Sequence, residues 1–318
     1  MMKLTSKNLL FAVFFSTVAL SSCNDRNKNT KLENEIAKQP ITKDYVEVVT
    51  TGMNFELVDT ISAGWTTFKY INNSLEPHFF ILEKMPDNLG IADYKKDLFP
   101  PFIEAFKYFE KGDFPAGMKE FEKIPEWFYR LELAGGVGLT SPKKTTTATI
   151  HLEPGKYVME CYVRMPNGMA HVFMGMLKEL VVVEKENEKN EPKADYEITL
   201  SSETGITFVD SLKAGNYTMS VYFKDQKKYE HMLGHDVNLV KIAHDSLIES
   251  LGEWLNTSDF KAFRSPAPDG LTFLGGIEDL PEKNKGFITT DLKKGSYILI
   301  SEIPQALERK MYRTFKVY

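Results

Sequence analysis

Four side chains of this sequence could meet at one soft metal ion. The run Asn72-Asn73-Ser74-Leu75-Glu76-Pro77-His78 leads into the apolar Phe79-Phe80-Ile81-Leu82, and Tyr157-Val158-Met159-Glu160 ends in Cys161. Further on, Gly168-Met169-Ala170-His171-Val172-Phe173-Met174-Gly175-Met176 precedes the apolar Leu180-Val181-Val182-Val183. A thiolate and two imidazoles suit copper in both of its oxidation states, and a weak thioether contact tunes such an ion rather than anchoring it. The candidate ligands are therefore His78, Cys161, His171 and Met176. About eighty residues separate His78 from Cys161, so the fold has to create the site. Metal would keep Cys161 deprotonated, and its binding would add to stability. Plainer uses exist for each residue: a strand-start histidine bonded to a turn for His78, core filling for Cys161 and Met176. His171 lies in a polar loop. Met165, Met169 and Met174 crowd the same loop as Met176, either to pack on the core or to present thioethers to Cu(I).

The cysteine count sharpens the reading. There are two, Cys23 and Cys161. Lys3 and Lys7, the apolar run Leu9 to Leu20, and Leu20-Ser21-Ser22-Cys23 read as a secretory signal, the run being short for a membrane span. A cysteine at that cut site resembles the lipobox of bacterial lipoproteins. The resemblance implies cleavage before Cys23 and acylation of its sulfur and new amino group, a stable membrane anchor. The protein is then expected in the cell envelope, facing the periplasm or the surface, with Cys161 its single free thiol. A lone exported thiol is an oxidation hazard unless buried or metal-bound. The polar stretch after Cys23, rich in Asn and Lys, reads as a tether. A net charge of −5 without a basic block argues against a nucleic-acid partner.

The elements that must position the ligands come in two similar sets. Phe55 to Gly64 (FELVDTISAG) resembles Ile206 to Gly215 (ITFVDSLKAG), Leu133-Ala134-Gly135-Gly136 matches Phe273-Leu274-Gly275-Gly276, and Leu152 to Tyr157 matches Leu292 to Tyr297. The last two pairs share an offset of 140 residues, which predicts two copies of one domain. The expected boundaries are 1–22 signal, 23–43 tether, 44–184 first domain, 185–195 charged linker and 196–318 second domain. Ala148, Ile150 and Leu152 alternate with polar residues, as do Tyr157, Met159, Cys161 and Val163 with Val158, Glu160 and Tyr162 opposite; Pro154-Gly155 turns one strand into the next. His151 falls on the exposed side. Short strands between turns predict β-sandwiches. The exception is Pro86 to Glu126, where Phe102, Ala105, Phe106 and Phe109 recur at helical spacing after Pro100-Pro101, a pair suited to a helix start; Asp245 to Leu255 is its counterpart.

The three ligand-bearing pieces resemble the cupredoxin family over roughly Tyr45 to Glu184. In its plastocyanin-like members, an Asn-rich loop ending in Pro-His gives the first histidine, a strand after Pro-Gly ends in the cysteine, and the next loop gives a histidine and, five positions on, a methionine. Here the step from His171 to Met176 is five, with Gly175 before the methionine. The step of ten from Cys161 to His171 exceeds that of plastocyanin and is closer to copper nitrite reductases. The resemblance implies a mainly β chain, two cupredoxin-like Greek-key sandwiches in tandem with helical insertions, and one type 1 copper ion in the first. In the second copy Cys161 falls on Ser301, His235 could match His78, Met311 could match Met176, and Glu302 to Arg313 contains no histidine. That copy is expected to be metal-free, a structural or docking unit. The missing histidines also argue against nitrite reduction, and His231 and His244 have no partners at ligand spacing.

The leading expectation is thus a tethered single-electron carrier serving a redox or copper-handling partner in the envelope. A copper carrier using the methionine-rich loop is one alternative, and a metal-free interaction module with a relic site is another. Catalysis is the least supported class: the sequence holds no recognisable Ser-His-Asp context, phosphate-binding glycine loop or specific carboxylate pair.

Overall fold

A computed structural model describes residues 44–229 and 233–318. The leader, Cys23, the tether and His231 lie outside the described residues. Strands β1 (Val46–Thr50), β2 (Thr60–Asn72), β3 (His78–Lys84), β4 (Glu132–Thr140), β5 (Thr145–Leu152), β6 (Gly155–Glu160) and β7 (Leu177–Glu186) build the first half. Alternation fixes their inner faces: Ala148, Ile150 and Leu152 of β5 are buried while His151 is exposed. The thirteen-residue β2 serves both layers. Thr60 to Ser62 run parallel to β7, whereas Gly64 to Ile71 run antiparallel to β5. The switch falls at Gly64, whose φ of 99° suits glycine. One layer is then β1–β2–β5 and the other β2–β7–β6–β3–β4. Phe68, Tyr70 and Phe80 meet edge-to-face between them. Each such fully buried side chain contributes roughly 1.5–3 kcal/mol of transfer free energy.

The second half repeats the plan with β8 (Tyr196–Ser201), β9 (Gly205–Thr207), β10 (Ser211–Leu212), β11 (Gly215–Phe223), β12 (Val237–Ile242), β13 (Leu271–Ile277), β14 (Lys285–Leu292), β15 (Gly295–Ile300) and β16 (Tyr312–Val317). Its layers are β9–β8–β11–β14 and β10–β16–β15–β12–β13. The chain is mainly β, two Greek-key sandwiches in tandem with helical insertions, the architecture that the sequence resemblance implies. The halves join through equivalent strands. β5 pairs antiparallel with β14, Thr147 opposite Thr289, Ala148 opposite Ile288 and Thr149 opposite Phe287. Under the 140-residue offset Ala148 thus faces its own counterpart, the signature of a pseudo-twofold axis between copies. β4 and β13 touch at Thr140 and Leu274. Strand β7 runs to Glu186, two residues into the stretch expected to be linker, because its parallel pairing with β2 continues to Ala63–Glu186.

The insertion departs from expectation. Helix α1 (Ile91–Glu110) begins after Gly90, with Asp93 accepting from the Gly90 N–H, and Pro100 and Pro101 lie inside it rather than at its start. Two lost backbone donors are outweighed because Tyr94 and Leu98 before the prolines and Ala105 and Phe109 after them are all buried. After α2 (Phe114–Glu120) come 3-10 turns at Phe121–Lys123 and Glu126–Arg130. Met85, Tyr94, Leu98, Trp127, Val158 and Val172 form a second core under this cover. Consequently the face of β6 carrying Val158 and Glu160, expected to be opposite the core, is buried too, and the Tyr94 hydroxyl donates to Glu160 at 2.7 Å. Among the described residues the remaining α-helices are the single turn α3 (His171–Met174) and α4 (Ile248–Leu255), the latter inside the segment expected to match the insertion.

Candidate metal centre

Each ligand-bearing segment is held by its own local bonds. Asn72, at the end of β2 and fully buried, donates from Nδ2 to the carbonyls of Glu76 and Thr140 at 2.8 Å each. Its Oδ1 accepts from the Ser74 backbone and hydroxyl at 3.0 and 2.6 Å, a side-chain-directed turn. That turn delivers Glu76 and then His78 at the first position of β3. Cys161 follows the last residue of β6, where its N–H donates to the Met176 carbonyl at 3.3 Å. His171 opens α3, its N–H donating to the Val163 carbonyl at 2.8 Å, and the Met176 N–H donates back to the His171 carbonyl at 3.1 Å. Gly175 between them has a φ of 126°, and a Cβ there would stand 2.8 Å from the Met53 carbonyl oxygen. Glycine is required at that position.

These frames bring His78, Cys161 and His171 together at the sandwich interior, all three with no exposed surface. Cys161 Sγ lies 3.8 Å from His78 Nδ1 and 3.9 Å from His171 Nδ1, and the two Nδ1 atoms are 3.1 Å apart. The centre of that triangle is about 2.1 Å from every corner, within the roughly 2.0–2.3 Å of bonds from a first-row ion to imidazole nitrogen and thiolate sulfur. The donor set therefore fits one such ion. Met176 is buried as well, and its backbone bonds hold it beside Cys161 and His171. The sequence alone places His171 in a polar loop; it is instead buried on a helical turn, because the second half and α1 close over the Cys161–His171 segment. Arg164 pins that segment. Its guanidinium donates to the carbonyls of Thr257, Asp259 and Ala262, and its backbone pairs with Phe263 and Ser265.

Electrostatics match the metal reading. Burial, and then the neighbouring His171 ring, push His78 down to about 3, and burial pushes His171 down to about 4. Both rings are neutral near pH 7 and keep lone pairs to offer. Burial pushes the Cys161 thiol up, so a cation is needed to hold the thiolate. The Glu76 carboxylate sits 3.1 Å from His171 Nε2, close enough for its charge to act but not aligned as a hydrogen bond. A negative charge at that edge favours the proton on Nε2 and leaves Nδ1 bare toward the sulfur. His78 Nε2 is buried without a partner.

The second half has the same frame with different side chains. Ile81 pairs with Gly136 and Glu160, as Asn238 pairs with Gly276 and Ile300, so His235 stands where His78 does. The Ser301 N–H donates to the Met311 carbonyl at 3.0 Å, and the Met311 N–H to the Ala306 carbonyl at 2.8 Å. Ser301, Ala306 and Met311 are thus the counterparts of Cys161, His171 and Met176. His235 is engaged elsewhere, with Nε2 2.9 Å from the Tyr229 hydroxyl and Nδ1 3.2 Å from the Asp225 carbonyl. His244 is exposed and bonds Ser246. Sequence reasoning missed two features, Glu76 beside His171 and a buried carboxylate group of Asp236, Glu278 and Glu302. A signal for the latter existed: Glu278-Asp279 directly follows the apolar strand β13, and Asp236 directly precedes β12.

No protein-family model matches the chain, and no curated protein matches it in sequence. Among solved structures, auracyanin B aligns at 16% identity over 41% of this chain and 93% of its own, with a TM-score of 0.30. Auracyanin A, a "blue" copper protein from the green thermophilic photosynthetic bacterium Chloroflexus aurantiacus, aligns at 19% over 43% and 97%, TM-score 0.26. A copper-containing nitrite reductase from Thermus scotoductus aligns at 9% over 86% of this chain and 61% of its own, TM-score 0.22. These values do not assign the chain to a family.

Proposed function

We propose that this chain is a membrane-tethered copper-binding protein that passes single electrons through a centre formed by His78, Cys161, His171 and Met176. One observation carries the reading: two neutral imidazoles and one thiol, from three distant segments, converge on a point at bonding distance from all three. Copper there would supply one-electron redox chemistry. The chain's own part is to hold the ligands still and keep water away. Ligands without exposed surface, three of them joined by the Cys161–Met176 and Met176–His171 backbone bonds, favour little rearrangement between oxidation states and slow exchange of the ion. Leu75, 84% exposed next to Glu76, offers an apolar contact for a redox partner near His171. Lipidation at Cys23 would keep the centre at a membrane of the cell envelope. The test is to add Cu(II) to the purified full chain. One equivalent with intense absorption near roughly 600 nm, from thiolate-to-copper charge transfer, is expected; a colourless protein that takes up no copper overturns the reading.

Met174, 51% exposed three residues after His171, favours a second reading as a Cu(I) carrier. Replacing Met165 and Met169 by leucine should then weaken Cu(I) binding. Under the electron-transfer reading it leaves the affinity unchanged.

A further inference from the structure

The buried carboxylates of the second half form an oxygen-only cluster at the junction between the halves. Asp236 precedes β12, Glu278 follows β13 and Glu302 lies two residues beyond β15. One oxygen from each falls within 4.8 Å of the others, and the residues are 0%, 0% and 1% exposed. Asp236 is fixed as an acceptor. Its Oδ1 takes hydrogen bonds from the Ser301 hydroxyl at 2.5 Å and the Glu302 N–H at 2.9 Å, and its Oδ2 takes one from Asn238 Nδ2 at 2.9 Å. The Tyr162 hydroxyl donates to Glu302 Oε1. Tyr162 and Glu302 are counterparts under the 140-residue offset, so this bond crosses from one half to the other.

What the cluster lacks points to a ligand. Both oxygens of Glu278 and Oε2 of Glu302 are buried with no hydrogen-bond partner. Asp279 beside Glu278 leaves Oδ2 unpartnered too. Among the described residues no Lys, Arg or His forms an ion pair with Asp236, Glu278 or Glu302. Buried polar atoms are almost always satisfied, and a buried carboxylate with two free oxygens and no counter-charge is strongly unfavourable. Protonation would relieve the charge but still leave acceptors empty. A cation satisfies both deficits. Tyr162 and Thr257, which both bond Glu302, line a neighbouring cavity of about 280 Å³ that gives an approach.

We propose that Asp236, Glu278 and Glu302 bind one hard divalent cation, of the manganese or calcium class, at the junction of the two sandwiches. Carboxylate and phenol oxygens without nitrogen or sulfur select such ions over copper. The cation would neutralise the cluster and, through Tyr162, tie the second half to the residue that follows Cys161. This goes beyond the copper reading and stands without it.

The test is Mn²⁺ binding to the chelator-treated full chain, followed by loss of the free-ion electron paramagnetic resonance signal, with calcium as competitor. One tight equivalent is expected, together with a higher melting temperature. Glu278→Gln and Glu302→Gln, both close to isosteric, should each weaken uptake at least about tenfold, the loss seen even for outer-shell partners. Cys161→Ser should bind Mn²⁺ like wild type, which separates this site from the copper centre. Absence of stoichiometric Mn²⁺ uptake by the folded wild-type chain overturns the proposal. So does uptake that both glutamine variants keep, or that Cys161→Ser loses.

Discussion

The corner of the first sandwich that holds His78, Cys161, His171 and Met176 and the corner of the second that holds His235, Ser301, Ala306 and Met311 share a backbone and differ in chemistry. In both, a strand-end residue bonds the methionine carbonyl, and the methionine N–H bonds back five residues. None of those bonds involves a side chain. The loop frame is therefore a property of the fold, and the proposed metal affinity rests in addition on the side chains it carries. In the first corner the side chains turn inward as neutral donors. In the second, His235 turns to Tyr229 and Asp225, and the serine hydroxyl turns to Asp236. Where the first corner gathers two imidazoles and a thiol, the second gathers a carboxylate network that bonds across the junction.

The largest predicted effect comes from making the first corner resemble the second. Cys161→Ser should abolish the thiolate absorption outright and lower copper affinity by more than about 100-fold, beyond what outer-shell changes do. Copper titration by absorbance and by metal content checks both. Colour that persists would place the thiolate elsewhere.

Next is pH, where the corners oppose one another in the metal-free protein. His78 and His171 are lowered by folding, to about 3 and about 4 from 6.5, so the unfolded chain takes their protons first. The stability they leave intact above pH 6.5 is lost as pH falls through 4 toward 3. Asp236 and Glu302 are raised by burial, to about 7 and about 8, and their contribution is full below about 4 and lost as pH rises through 7 to 8. The two trends offset each other between about pH 4 and 6.5, and only the acids act above that window. Glu302→Gln should thus gain a few kcal/mol at pH 8 and nothing at pH 4, since each tenfold change in proton affinity between the folded and unfolded chain is worth about 1.4 kcal/mol. Urea unfolding of chelator-treated protein at both pH values is the measurement. Equal stability of variant and wild type at pH 8 would mean that Glu302 is ionised there at no penalty.

A smaller effect is expected at Glu76. Glu76→Gln removes the charge 3.1 Å from His171 Nε2 and should weaken copper binding about tenfold while leaving the colour in place. The smallest is an expected absence of change. Ser301→Cys with Ala306→His supplies the missing ligand types to the second corner. Copper content should nevertheless stay at one per chain, because His235 is held by two partners facing elsewhere. Two coppers per chain would show that ligand identity alone separates the corners.

Much of this was legible in the residues. The 140-residue offset located both copies, and alternation placed Tyr157, Met159, Cys161 and Val163 on one buried face. The spacing of His171, Gly175 and Met176 marked the segment that the structure brings beside Cys161 and His78. Less legible was anything set by a neighbour from afar. Helix α1 runs through two prolines because it buries residues on both sides of them, and Glu160 is covered because that helix lies over it.

The sequence by itself determined which groups could bind metal, since donor type and strand period are local properties that survive any packing. Only the tertiary structure decided that Glu76 stands against His171, that His235 faces away, and that three acids flanking separate strands share one buried cluster. Those outcomes depend on how strand ends from the two halves meet about a common axis, and no local pattern records the distance between segments that fold together from far apart.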